Sequence, residues 1–169
     1  MFFKFFPNRN YIFDRTSVQI PDLFRRVHPT SKFVNSTLLE FHRVRDGERP
    51  EDISFDLYGN VEHYWTILLI NDVIDPYKDW LMDYNTLYEY ALEKYGSQSR
   101  LDDPHHYVHA GTEVRVDYDS AAISAATIVP VTNFEHEISE NEKKRDIYVL
   151  AKEHVNNFSK QFAKLIREE

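Results

Sequence analysis

Apolar positions recur most regularly between Arg49 and Trp80, RPEDISFDLYGNVEHYWTILLINDVIDPYKDW, where spacing alone predicts two successive helices. Pro50 suits a first helical position because its missing N–H would be unpaired there, and Glu51 and Asp52 set negative charge at the positive end of the helix dipole. A short helix is therefore expected from Pro50 to Tyr58. Gly59 supplies the left-handed backbone that ends it, and Asn60 a side-chain acceptor for the next helix. There, Val61, Tyr64, Trp65, Leu68 and Leu69 fall at i, i+3, i+4, i+7 and i+8, which makes one apolar face, and Asp75-Pro76 closes the segment. Leu39, Phe41 and Val44 with intervening polar residues predict a strand before the helices. The order is strand, short helix, glycine turn, longer helix.

Outside this module the period changes repeatedly. Met1 to Phe6 carries four phenylalanines around one lysine, an apolar patch that must be covered, either as an edge strand on the chain's own core or as an arm docked into a partner. Asn8 to Asn35, with Pro21 and Pro29 and the anchors Val18, Ile20, Leu23 and Phe24, reads as an extended lead-in with one helical turn at most. Tyr84, Leu87, Tyr88, Ala91 and Tyr95 stripe a further helix ended by Gly96, and the polar run Ser97 to Pro104 is expected to be a loop. From His105 the period is two: Val114, Val116 and Tyr118 alternate with Glu113, Arg115 and Asp117, and Ala110-Gly111 can turn a hairpin. Small residues and Pro130 make Asp119 to Val131 an expected arm or connection. Thr132 and Glu135 have capping-box spacing at the start of a charged helix to about Lys144, whose apolar anchors are Phe134 and Ile138. Ile147 to Leu150 predicts a strand. Val155, Phe158, Phe162, Leu165 and Ile166 stripe a terminal helix, which suits core packing and a partner's helix bundle equally.

Composition sharpens this picture in three ways. The 169 residues suffice for a sizeable core, yet 15% are aromatic, with 12 Phe and 11 Tyr, and aromatics beyond the needs of one core serve interfaces. Cysteine is absent, which excludes disulfides and thiolate chemistry. A net charge of −8 argues against sequence-independent binding to nucleic acid, and Arg25-Arg26 and Lys143-Lys144-Arg145 read as solvated faces or partner contacts. No apolar run approaches the roughly 18 residues of a membrane span. Pro7-Asn8-Arg9-Asn10 cuts the Phe-rich start too early for a secretory signal.

Catalytic chemistry finds little support. There is no G-x-S-x-G, Walker loop or H-E-x-x-H, and four glycines are too few to build a phosphate-cradling loop with ease. Asp52 with Asp56, and Asp102 with Asp103, are carboxylate pairs of the kind that 28 acids produce by chance, and they read as solvated acidic faces. His105, His106 and His109 follow Asp102 and Asp103, but metal ligands on one strand need others to converge from a second segment, and no zinc-type spacing occurs. No metal and no cofactor is expected. Among the remaining aromatics, Tyr64 and Trp65 read as core, while Tyr77 and Trp80 read as anchors under a loop or at a subunit contact.

The central residues resemble a LysM module: Val44 to Gly47 lead in, Leu57-Tyr58-Gly59 closes the short helix, and Leu68-Leu69-Ile70-Asn71 closes the second. LysM modules bind N-acetylglucosamine polymers, but the Pro-Gly-Gln-x-Leu second strand is replaced here by an aromatic, acidic run from Asp75 to Tyr84. The variant with Arg49-Pro50-Glu51-Asp52, Leu57-Tyr58-Gly59-Asn60, Tyr64-Trp65, Asn71-Asp72 and Asp75-Pro76-Tyr77 before Trp80 is similar to the LysM-like wedge subunits of contractile-tailed, T4-like phage baseplates. Ile20-Pro21 before Asp22-Leu23-Phe24-Arg25, and Glu140-Asn141-Glu142-Lys143, extend the likeness over most of the chain. The resemblance implies an α+β fold with a LysM-like β-α-α core module, an N-terminal arm, an extra helix, a β-hairpin region and a C-terminal amphipathic helix. The expected divisions are 1–37, 38–96, 97–131 and 132–169.

The same resemblance implies a non-enzymatic structural subunit of the virion's tail baseplate, made in the host bacterial cytoplasm, that clamps wedge core proteins and joins neighbouring wedges. Its expected partners are the helical core bundle, a sheath-initiator-type subunit and the neighbouring wedge, with no nucleic acid and no membrane. A peptidoglycan-binding module, with Tyr77 and Trp80 near a sugar groove, is the alternative. The partner interface is expected at Phe2, Phe3, Phe5, Phe6, Tyr77, Trp80, Val155, Phe158, Phe162, Leu165 and Ile166. Removing Met1 to Phe6, or the helix from Val155, is expected to leave the module folded and to abolish incorporation.

Overall fold

Short helices alternate with short strands in a mixed α+β fold; the computed structural model describes residues 2–25, 27 and 37–168. After a 3-10 turn at Phe2–Phe5 come β1 (Asn8–Phe13), β2 (Thr16–Pro21), β3 (Leu39–Arg43), α1 (Pro50–Tyr58), a 3-10 turn at Val61–His63, α2 (Tyr64–Ile70) and α3 (Tyr84–Tyr95). The chain continues through α4 (Gln98–Leu101), β4 (Pro104–His109), β5 (Arg115–Val116), α5 (Ser120–Ser124), β6 (Ile128–Thr132), α6 (Asn133–Lys143), β7 (Asp146–Leu150) and α7 (Val155–Leu165). The described residues form three small sheets: β1-β2, β3-β7 and β5-β4-β6. They gather into two compact units. The first draws on Met1–Val44, Glu48–Asp79 and Ile147–Glu169, the second on Arg45–Gly47 and Trp80–Asp146.

In the first unit, Pro50 opens α1, and the Asp52 carboxylate accepts the Arg49 N–H at 3.0 Å. Gly59, at φ 73, ends the helix by donating to the Phe55 carbonyl at 2.8 Å, a backbone that a side chain would strain. The Asn60 side chain then accepts from the Glu62 N–H at 2.9 Å and starts the next turn. No strand follows α2 directly; β3 pairs instead with β7, which the chain reaches only after Asp146. Asn71 completes the join like an extra strand residue: its amide donates to the Tyr148 carbonyl at 2.8 Å, and its oxygen accepts the Tyr148 N–H at 2.9 Å.

The apolar face expected on α2 is only part of its buried surface. Val61 is exposed, while Thr66, Ile67 and Ile70 join Trp65 inside, because neighbours cover the helix on more than one side. Trp65 meets Phe162 of α7 at 4.7 Å between ring centroids and Phe158 at 6.0 Å. Ile70 packs with Leu150 and Val155. The terminal helix thus belongs to the module's own core and is not an appendage. Tyr58 donates to the Leu150 carbonyl at 3.0 Å, and burial pushes its phenol up to about 12.

The lead-in expected over Asn8 to Asn35 begins as an antiparallel hairpin, β1-β2, in which Phe13 faces Thr16 across Asp14 and Arg15. Both turn residues have positive φ, 45 and 63, as a two-residue hairpin turn requires. Arg26, Pro29 and the rest of 28–36 lie outside the described residues.

The second unit corrects two further expectations. Ser97 to Pro104 is not a plain loop: it contains α4, with Leu101 buried, and the first residue of β4. Asp119 to Val131 is not a connection either, since β6 pairs antiparallel with β4 and Ile128 is buried. Pro130 is tolerated because β6 is an edge strand. Thr132 and Glu135 form the capping box of α6, and Phe134 packs edge-on against Tyr84 and Tyr88 of α3. Polar side chains do the rest of the anchoring: Glu137 and Asn141 are each only 5% exposed. Asn141 holds both backbone groups of Met82, accepting its N–H at 2.9 Å and donating to its carbonyl at 2.8 Å.

Candidate partner interface

The phenylalanine-rich start lies on its own unit as a 3-10 turn, not as an edge strand. The Phe5 ring sits 5.4 Å from Trp65 and 6.0 Å from Phe162, and Arg167 donates to the Phe5 carbonyl at 3.2 Å. Lys4 pairs with Glu62 at 3.2 Å on the exposed side. Phe3 and Phe6 then border an open apolar cleft of about 270 Å³, completed by Leu23, Leu69, Ile74 and Ile166 among others. This cleft is an apolar depression of the first unit into which a partner side chain could fit.

Two protrusions carry further exposed apolar side chains. At the tip of the β1-β2 hairpin, Ile12 and Phe13 are 80% and 79% exposed, and every residue of both strands is exposed. An isolated two-stranded ribbon is marginal in water. Beside the cleft, the loop Ile74 to Asp79 is tied by its own carboxylates: Asp79 accepts from the Ile74 and Asp75 N–H groups at 3.1 and 2.8 Å, and Asp75 accepts from Tyr77 at 3.1 Å. That bracing holds Tyr77 out at 88% exposure. A rigid, outward aromatic of this kind is the usual anchor of a binding surface.

The residues expected at the interface therefore separate. Phe3, Tyr77 and Leu165 are exposed, Phe5, Phe6 and Phe158 are partly buried, and Val155, Phe162 and Ile166 lie in the core beneath them. The Phe2 side chain is outside the described set. Trp80 is only 7% exposed, so it is not a surface aromatic as Tyr77 is. Ile12 and Phe13 went unnoticed from sequence because Asp14-Arg15 lacks the glycine that flags a tight hairpin; alternation around Tyr11, Phe13, Val18 and Ile20 was the available signal.

Asp52 is occupied in capping α1, and Asp56, Asp102 and Asp103 are exposed. His105 and His106 do gather, but with His136 of α6 in place of His109; one nitrogen from each ring lies within 4.8 Å of the other two. Burial first, then the neighbouring His136, His106 and Arg115 charges, lowers the pKa of His105; burial, Arg115 and His136 do the same for His106. Spacing in the sequence carries no hint of His136. No described helix is long and apolar enough to cross a membrane.

Comparison with known proteins bears on these surfaces directly. A family model described as base plate wedge protein 53 matches residues 1–117, which include the phenylalanine turn, the hairpin, the cleft residues up to Ile74 and the Tyr77 loop. The baseplate wedge protein gp53 of Enterobacteria phage T4 is 26% identical over 196 aligned positions, covering 99% of this chain and 97% of that protein. With more than half its length matched by the family model and 99% of it aligned to that relative, the chain belongs to the base plate wedge protein 53 family.

Proposed function

We propose that this structural wedge subunit acts as a clamp: the first unit is a firm block whose cleft, Tyr77 loop and hairpin tip seat on other wedge proteins. The partners are the helical core bundle of the wedge, a sheath-initiator-type subunit and the neighbouring wedge, met in the virion's tail baseplate after synthesis in the host cytoplasm. One observation carries the reading. Apolar side chains that no core uses, Ile12, Phe13 and Tyr77, are held out on a hairpin and a braced loop beside an apolar cleft. Exposed aromatics in such numbers cost solubility in a free chain and gain binding energy in an assembly.

The LysM-like reading of the block belongs to the same proposal. Support comes from the order β3, α1, α2 and from the pairing of β3 with β7, so that the strand missing after Asn71 is supplied after Asp146. Sugar binding is disfavoured by the burial of Trp80, which removes it from any groove wall.

The test mixes the purified chain with candidate wedge proteins and measures complex mass by light scattering. Tyr77→Ala and the double change Ile12→Asp with Phe13→Asp should leave the circular dichroism and melting temperature near those of the parent while weakening the complex at least about tenfold, the effect of losing one anchor side chain. Undiminished assembly of both variants would overturn the clamp. Retention on purified murein that is lost in Tyr77→Ala would favour the sugar-binding reading instead.

A further inference from the structure

Successive residues of a regular strand point to opposite faces, yet the Nδ1 atoms of His105 and His106 are 2.9 Å apart. The cause is a break in the β4-β6 ladder. Pro104 pairs with Thr132 and His106 with Val131, so His105 is the extra residue of a bulge, and bulges re-aim side chains. Helix α6 then brings His136 flat against His105, with centroids 3.9 Å apart and planes 8° apart, and edge-on to His106 at 5.8 Å. The condition that spacing along β4 could not meet, convergence from a second segment, is met by α6.

From this geometry we infer that His105, His106 and His136 form a binding site for a divalent first-row transition cation of the zinc type, with solvent completing the coordination. Zinc takes imidazole nitrogen at about 2.0–2.1 Å in a tetrahedron, which sets ligand nitrogens about 3.4 Å apart. One nitrogen from each of the three rings already lies within 4.8 Å of the other two, so rotations of the rings close the set. An all-imidazole donor set selects zinc and cobalt over magnesium or calcium, which take oxygen. Arg115 and Lys143 line the depression beside His106 and His136 and oppose a cation, while Glu140 favours it. Affinity therefore comes from the donor atoms and not from the local field. The bound ion would tie the bulge of β4 to α6, a structural clasp within the second unit that does not depend on the clamp reading.

The full chain, dialysed against chelator, would be titrated with zinc in competition with a chromophoric chelator and, separately, with cobalt(II) read by visible absorption. One ion per chain is expected, with the cobalt spectrum of a four-coordinate nitrogen and oxygen site. His106→Gln and His136→Gln should each weaken binding at least about tenfold, since even removing a group that merely supports a metal ligand costs about 10–100-fold. His109→Gln should bind as the parent does. Absence of one-to-one uptake, or uptake that survives both cluster variants, or equal loss in His109→Gln, would overturn the site. Melting each metal-free variant checks that it folds; should His136→Gln unfold, His106→Gln on the strand decides the matter alone.

Discussion

Glu137 sits inside on a helix that reads as mostly charged, and it stays ionised because two neighbours on α3 bond the same oxygen: Lys94 Nζ and Tyr95 Oη each donate to Oε1 at 2.8 Å. Burial pushes its pKa up, but those hydrogen bonds and the Lys94 and His136 charges outweigh it and hold the carboxyl below its ordinary 4.5. A group with a lowered folded pKa stabilises above the unfolded value and loses that contribution as pH falls through the folded one. Urea midpoints measured from pH 7 downward should thus drop steeply below about 4.5. Glu137→Gln should start about 1–3 kcal/mol lower at pH 7, because its partners are left poorly satisfied, and show a flatter acid limb. Parallel acid limbs in the two proteins would refute the assignment. Sequence showed Glu137 as one more surface acid, since nothing along the chain marks which carboxylate will find a lysine on another helix.

Among the elements, those whose support is local were legible and those whose support is remote were not. Helices α1, α3, α6 and α7 follow from period, Pro50, Gly59, Gly96 and the Thr132–Glu135 capping box, all within a few residues of the helix itself. The β1-β2 hairpin was hidden by a turn of two non-glycine residues in left-handed backbone, and β6 by Pro130, which an edge position permits. Helix α2 showed one apolar face but is covered on several. Two asparagines do what no pattern foretells: Asn71 and Asn141 each grip both backbone groups of a residue far along the chain, Tyr148 and Met82. Replacing Asn71 with Ala should destabilise the first unit by about 1–3 kcal/mol in denaturant unfolding, since backbone groups near Tyr148 lose their partners. A change under about 0.5 kcal/mol, the ordinary range for surface substitutions, would show that the strand is held without it.

At the scale of the whole chain, the aromatic start and Tyr77, both part of the proposed interface, stand out in the sequence; the interleaving of segments does not, because periodicity reports which way a residue faces and not which distant strand it meets. Phe162 and Ile166 close over Trp65, so the terminal helix completes the first unit's core. A chain cut after Asp146 should accordingly lose the near-ultraviolet signal of Trp65 while the second unit, contiguous apart from Arg45–Gly47, keeps its amide protection. Retention of a native Trp65 environment in the truncated chain would contradict the packing described. The pairing of β3 with a strand that lies beyond the second unit also orders events during synthesis. On the ribosome, residues Trp80–Asp146 emerge ahead of most of β7, whereas the earlier helices must wait with their tryptophan uncovered until α7 leaves the exit tunnel. Docking that relies on a finished first unit is thereby deferred until α7 has closed over Trp65, a built-in delay against premature association of nascent chains.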